Sequence, residues 1–138
     1  MCSSDLTNHT NTTKPGQIES GVYRLEPGSD PRAEWTVDLL STGISSRPSV
    51  GTAFQAAPGV FGWGDIDGDG DIDIAVSGDG DDRLFLLEQT APSMFSTRVL
   101  QTDYGQAGSM EIVDLDGDGR NEILASGFEK DQVRLYVA

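Results

Sequence analysis

A single cysteine, Cys2, excludes any disulfide framework and any thiolate metal site. The one histidine, His9, lies in a polar N-terminal stretch, where a solvated bystander is its expected role. Zinc binding and histidine-based acid–base catalysis therefore have almost nothing to work with. Basic residues are scarce, with 9 Lys and Arg against 23 Asp and Glu and a formal net charge of −14 at pH 7. Nucleic-acid binding, which selects basic surfaces, is not expected. Long apolar runs are also missing. Stretches such as Ile72-Asp73-Ile74-Ala75-Val76 fall far short of the ~20 residues of a transmembrane helix, so no membrane insertion is expected. No basic start is followed by the apolar run of a secretory signal. What remains is 138 residues, one domain's worth, long enough to bury a core without disulfides.

Residues 1–19 read as a disordered arm, rich in Ser, Thr and Asn and without apolar period. Its opening Met1-Cys2-Ser3-Ser4-Asp5-Leu6 resembles a translated sequencing-adapter remnant, which would make residues 1–6 non-native and would account for the missing signal. Asn8 and Asn11 fit the glycosylation acceptor pattern, but in so Asn/Thr-rich a stretch chance explains the match. From residue 20 onward, short β-branched or aromatic runs alternate with Gly, Pro, Asp and Ser clusters. Val22–Leu25 and Trp35–Leu40 are the first two strands. No window keeps the i, i+3, i+4 apolar pattern of a helix.

The acidic residues are concentrated. Nine of the 23 fall in two short windows, 65–73 and 114–122. Carboxylates packed so closely repel unless cations neutralise them or water solvates them fully. The windows are copies: Asp65-Ile66-Asp67-Gly68-Asp69-Gly70 recurs as Asp114-Leu115-Asp116-Gly117-Asp118-Gly119, 49 residues later. The match continues through Asp73–Gly78 and Glu122–Gly127. Arg83–Leu86 then parallels Arg134–Val137 at an offset of 51, and Trp35–Leu40 parallels Phe95–Leu100 at 60. One unit reads as four strands. The first enters the acidic loop (60–66, 109–115) and the second leaves it (73–77, 122–126). The third follows a polar turn (83–88, 132–137), and the fourth closes the unit (96–101). Four strands in ~40–50 residues is the size of a propeller blade, and propellers close with ~4–8 of them. The earliest copy lacks the loop, and its extra length falls in the Gly/Ser/Ala/Pro-rich insertion 41–58.

Both loops follow the pattern D-x-D-x-D-G-x-x-[DE]. Oxygen donors at positions 1, 3 and 5, with Gly at 6 for a φ > 0 turn, are what a tightly wound Ca²⁺ loop needs. Asp65, Asp67 and Asp69 fill these places in the first loop, and Asp114, Asp116 and Asp118 in the second. Position 7, Asp71 or Arg120, offers its backbone carbonyl. Position 9, Asp73 or Glu122, supplies a further carboxylate. Two Ca²⁺ sites are therefore expected. Mg²⁺ is the poorer fit because it prefers few protein ligands and keeps several waters. An EF-hand or dockerin-type loop needs a carboxylate at position 12 and then a helix. Here position 12 is Val76 or Ala125, and strand-like sequence follows. Asp79-Gly80-Asp81-Asp82 reads as a solvated hairpin turn, since a Ca²⁺-binding β-helix would need tandem nonapeptides. Most of Trp35, Trp63, Phe85, Phe95, Tyr104 and Tyr136 sit in strand patterns and are expected in the core. Tyr104, between Asp103 and Gly105 in a loop, is the one to test for ligand contact.

On the residues Phe61-Gly62-Trp63-Gly64-Asp65-Ile66-Asp67-Gly68-Asp69-Gly70, continuing to Gly78, and on Met110–Gly127, the chain resembles the FG-GAP repeat family and the related VCBS-type repeats. These occur in integrin α-subunit propellers and many secreted bacterial proteins. The resemblance covers roughly residues 20–138, although the second copy lacks the Phe-Gly before its loop and the first copy lacks the loop. It implies an all-β fold: a partial β-propeller of about two to three four-stranded antiparallel blades with Ca²⁺ in hairpin loops. It further implies a non-catalytic extracellular or cell-surface module that binds a protein or glycan ligand. The alternative is the non-catalytic propeller part of a larger secreted polysaccharide-active enzyme. No nucleophile set is present, and the acids are already assigned to the loops, so the chain itself is not expected to be an enzyme. At 49 residues per unit the chain holds roughly 2.8 units, so a fragment of a larger propeller, an open repeat array or a piece that assembles with partners is expected, and terminal sheet faces left open predict marginal stability or self-association.

Overall fold

The computed structural model describes residues 6–7, 21–42, 57–79 and 82–137. Every regular element among them is a strand. The fold is all-β, and among the described residues no helix is long and apolar enough to cross a membrane. Among the described residues ten strands run in three antiparallel meanders. The first sheet joins β1 (Leu6–Thr7), β2 (Gly21–Glu26) and β3 (Thr36–Thr42). The middle sheet joins β4 (Ala57–Gly64), β5 (Asp73–Asp79), β6 (Leu84–Ala91) and β7 (Met94–Gln101). The third joins β8 (Ala107–Val113), β9 (Glu122–Gly127) and β10 (Val133–Tyr136).

These spans follow the sequence-predicted strands closely, with two departures. Among the described residues only the middle sheet has four strands; the other two have three each. The N-terminal arm contributes β1, which pairs Leu6 with Tyr23 and Thr7 with Val22. The rest of the arm lies outside the described residues, as do 43–56 of the insertion and Gly80-Asp81 of the acidic turn.

The middle sheet is covered on both faces, which its sequence reflects. Leu84-Phe85-Leu86-Leu87 on β6 is a continuous apolar run with all four side chains buried. Successive strand side chains point to opposite faces, so the run feeds two cores. Leu84 and Leu86 join Ala75 and the third sheet's Ala107, Met110, Ile123 and Ala125. Phe85 and Leu87 join Val76 and pack against Val22 and Leu40 of the first sheet. Ser41 and Thr97 share a 2.6 Å hydroxyl contact across that second interface.

The aromatics divide differently from expectation. Tyr104 makes no ligand surface. It is fully buried in the core between the middle and third sheets, and its hydroxyl donates to the Ala125 carbonyl at 2.8 Å. Asp103 (φ 55°) and Gly105 (φ 81°) bend the β7–β8 connection so that this ring turns inward. Trp63, expected in the core, is 61% exposed on edge strand β4. Phe85 is buried, whereas Trp35, Phe95 and Tyr136 are half-buried.

The two acidic loops are the β4–β5 and β8–β9 hairpins, carried at the same end of neighbouring sheets. β4 and β8 lie face to face and close together. A Cβ on Gly62 would stand 2.7 Å from the Glu111 Cα and from the Met110 carbonyl oxygen.

Candidate metal centres

Each loop is built by its first acid. Both carboxylate oxygens of Asp65 accept backbone amides, from Gly68 at 2.7 Å and Gly70 at 2.9 Å. Asp114 repeats this with Gly117 at 2.7 Å and Gly119 at 3.0 Å. The coil needs two left-handed positions, and glycine fills both in each copy: Gly68 and Gly70 at φ 80° and 93°, Gly117 and Gly119 at 81° and 90°. Only the second of each pair was anticipated from the pattern. The remaining acids brace successive turns. Asp67 accepts the Asp69 amide at 3.2 Å and Asp69 accepts that of Asp71 at 2.8 Å. Asp116 and Asp118 do the same for Asp118 and Arg120, at 3.1 and 2.9 Å. The ninth position closes each hairpin. Asp73 Oδ2 accepts the Ile66 amide and Glu122 Oε2 the Leu115 amide, both at 2.9 Å.

This folding brings three of the anticipated ligands together in each loop. Carboxylate oxygens of Asp65, Asp67 and Asp73 lie within 4.8 Å of one another, as do those of Asp114, Asp116 and Glu122. The side chains of Asp69, Asp71, Asp118 and Arg120 are not in these groups. Asp69 and Asp118 stand apart from the trios, and each accepts the amide two residues on, at 2.8 and 2.9 Å.

Each trio could hold a metal ion, and the donor chemistry specifies a hard one, since every converging atom is a carboxylate oxygen. No basic side chain pairs with any of the six among the described residues. Asp73 shows the resulting cost. It is 1% exposed, and burial pushes its carboxyl above the ordinary value of 3.8. The amides of Ile66 and Gln89 oppose that shift, while the charges of Asp67 and Asp69 add to it. A cation in the trio would supply the positive charge that these surroundings lack.

Residues 65–125 match the model of the FG-GAP-like repeat. The matched segment runs from the first acid of one loop, through β5 to β8 and the second loop, into β9. No curated protein and no solved structure matches the chain.

Within the matched segment one further residue joins the two centres. Asn121 Nδ2 donates to the backbone carbonyl of Asp65 at 2.6 Å, so position 8 of the second loop holds position 1 of the first. The one signal for it was a departure between copies, because the first loop has exposed Ile72 there. Asn121→Ala leaves a partly buried carbonyl without its donor and should cost about 1 kcal/mol, read as a lower urea midpoint. An unchanged midpoint would mean that the bond is not made in solution.

Proposed function

We propose that both loops are structural Ca²⁺ sites and that the chain is a non-enzymatic module of the β-propeller type, which binds a protein or glycan ligand outside the cell. The observation that carries the reading is the pair of identically built carboxylate trios on neighbouring hairpins. Asp65, Asp67 and Asp73, or Asp114, Asp116 and Glu122, supply three ligands. The carbonyl of Asp71 or Arg120 and waters complete the 6–8 oxygens that Ca²⁺ takes. Bound there, the ion supplies charge neutralisation and rigidity; it does no chemistry on a substrate. The family resemblance, with its precedent in secreted repeat proteins, supports an extracellular setting. Sites of this kind often bind at ~10⁻⁴–10⁻³ M and fill at extracellular Ca²⁺ concentrations.

The test is thermal unfolding at ~0 and ~5 mM free Ca²⁺ with Mg²⁺ as control, on wild type and on Asp67→Ala/Asp116→Ala. At a Kd of ~10⁻⁴ M, ~5 mM ion stabilises by about 2 kcal/mol per site. For a chain of this size each 1 kcal/mol raises Tm by roughly 3–5 °C. Asp67 and Asp116 are chosen because each holds only one exposed loop amide, so the cation-free midpoint should barely move. A Ca²⁺-dependent rise in wild type that is absent from the double variant supports the sites. The same midpoint with and without Ca²⁺ in wild type would refute them.

A further inference from the structure

One peptide group belongs to both centres. The peptide between Asp65 and Ile66 gives its N–H to Asp73 Oδ2 at 2.9 Å, inside the first loop, and its carbonyl accepts Asn121 Nδ2 at 2.6 Å, from the second. On the first side it joins two members of one carboxylate trio, Asp65 and Asp73. On the second side Asn121 stands between Arg120, whose carbonyl is the proposed position-7 ligand, and Glu122, a member of the other trio. Glu122 is itself fixed by the Leu115 amide at 2.9 Å. A continuous run of covalent and hydrogen bonds thus leads from Glu122 through Asn121 and one peptide plane to Asp73.

Asp73 and Glu122 at the ends of this run are buried, and Asn121 is half-buried. A donor on a carbonyl polarises the peptide and makes its N–H a stronger donor on the far side. Asn121 thereby strengthens the hold of the Ile66 amide on Asp73. The strands that lead into the loops are in contact as well. A Cβ on Gly64, the residue before Asp65, would stand 2.7 Å from Ile112 Cγ2, so the two hairpins share a firm base. Position 8 of the first loop is Ile72, 44% exposed, whose side chain has nothing to donate. The side-chain link is therefore made by the second loop toward the first.

We infer that Asn121 couples the two centres, so that through this bond a cation in either loop raises the affinity of the other. The inference rests on the reading of both loops as Ca²⁺ sites. An ion in the second loop draws in Glu122 and the Arg120 carbonyl, which fixes residues 120–122 and with them the Asn121 side chain. The Asp65–Ile66 peptide is then already oriented when the first loop takes its ion, so less freedom is lost in that step. The coupling is reciprocal, because one free energy is shared by the two sites. Repulsion between the two ions acts in the opposite sense, but it acts through space, is screened by salt and does not depend on Asn121. A single partly buried hydrogen bond sets the Asn121-dependent part at about three- to fivefold in affinity.

Ca²⁺ titrations of the full chain followed by heteronuclear NMR test this, because each loop has its own reporter. The Gly70 amide donates to Asp65 Oδ2 and the Gly119 amide to Asp114 Oδ2. Asp116→Ala disables the second loop. The factor by which it weakens Ca²⁺ binding at the first loop, read at Gly70, is measured with Asn121 in place and again in Asn121→Ala, at ~0.15 M salt to screen the repulsion between ions. That factor is expected to be about three- to fivefold larger with Asn121 in place. Ile72→Ala, at the same position of the first loop, is the control and should leave the factor as it is in wild type. Dispersed amide spectra show that the variants are folded. Equal factors with and without Asn121 overturn the coupling and leave the two Ca²⁺ sites standing. An Ile72→Ala protein that lowers the factor as far as Asn121→Ala overturns it too, since general loosening of the loops would then explain the effect. If Ca²⁺ moves neither glycine amide in wild type, the Ca²⁺ reading itself fails and the coupling falls with it.

Discussion

Gly62→Ala is expected to destabilise the protein by about 3 kcal/mol, against the usual sign of this substitution. Glycine in a strand interior normally costs ~0.5–1 kcal/mol relative to alanine, so Gly→Ala there should help. At Gly62 the added Cβ would meet the Glu111 Cα and the Met110 carbonyl oxygen at 2.7 Å and the Glu111 amide nitrogen at 2.9 Å. All three are backbone atoms and cannot rotate away. Either β4 or β8 must shift, which loosens the core around Met110 and strains the Asn121–Asp65 bond at the end of the same strand. Overpacking of this kind costs ~1–3 kcal/mol and more where the obstacle is rigid. Gly64 is the graded control. Its nearest obstacle is the Ile112 Cγ2 at 2.7 Å, a side-chain atom with some freedom, so Gly64→Ala should cost about 1 kcal/mol. Gly28, with nothing within 4 Å, should tolerate alanine without loss. Urea unfolding of the three variants gives the order. A Gly62→Ala protein as stable as wild type would mean that β4 and β8 do not approach this closely.

The same glycines show what was legible in the sequence and what was not. Strand positions were readable because alternation and turn chemistry are local. The second, third and fourth strands of the repeat appeared within a few residues of where they fall. The acidic loops were readable because two copies of one pattern, 49 residues apart, agree on every ligand position. What Gly62 does was not readable, because it depends on β8, a strand about 50 residues away, and the second copy, which lacks the Phe-Gly, has Glu111 in its place. Tyr104 misled for a related reason. Flanking Asp and Gly mark a turn, but they do not say which way the ring points. Asp103 and Gly105, both in left-handed backbone, send it into the core. Trp63 erred in the other direction, since β4 is an edge strand and part of its front face is open. Within the loops, nine acids looked equivalent by type. Which of them converge and which stand apart is a property of the coil, which spacing alone does not resolve.

Asp73→Ala is expected to cost about 3 kcal/mol even in cation-free buffer, because this residue is a structural brace before it is a ligand. Its Oδ2 accepts the Ile66 amide and its Oδ1 the Gln89 amide, both at 2.9 Å, which ties the loop entry to β6. Alanine would leave both amides without their acceptor, at ~1–3 kcal/mol for each buried donor. One effect runs the other way. The carboxylate is buried beside Asp67 and Asp69, and its raised pKa records that the charged form is disfavoured there, so its removal also relieves repulsion. The unmade hydrogen bonds should outweigh that relief, because the two amides already hold the ionised form in part. Under the Ca²⁺ reading the balance then changes with the ion. Bound Ca²⁺ would cancel the repulsion in wild type and leave the variant short of a ligand. The stability gap between wild type and Asp73→Ala should therefore widen by about 2 kcal/mol at ~5 mM Ca²⁺, whereas Asp67→Ala should show a gap only when Ca²⁺ is present. Chemical unfolding of both variants with and without the ion separates the two roles. If Asp73→Ala costs nothing without Ca²⁺, the brace is absent. If the gap is the same in both buffers, Asp73 holds the hairpin and binds no ion.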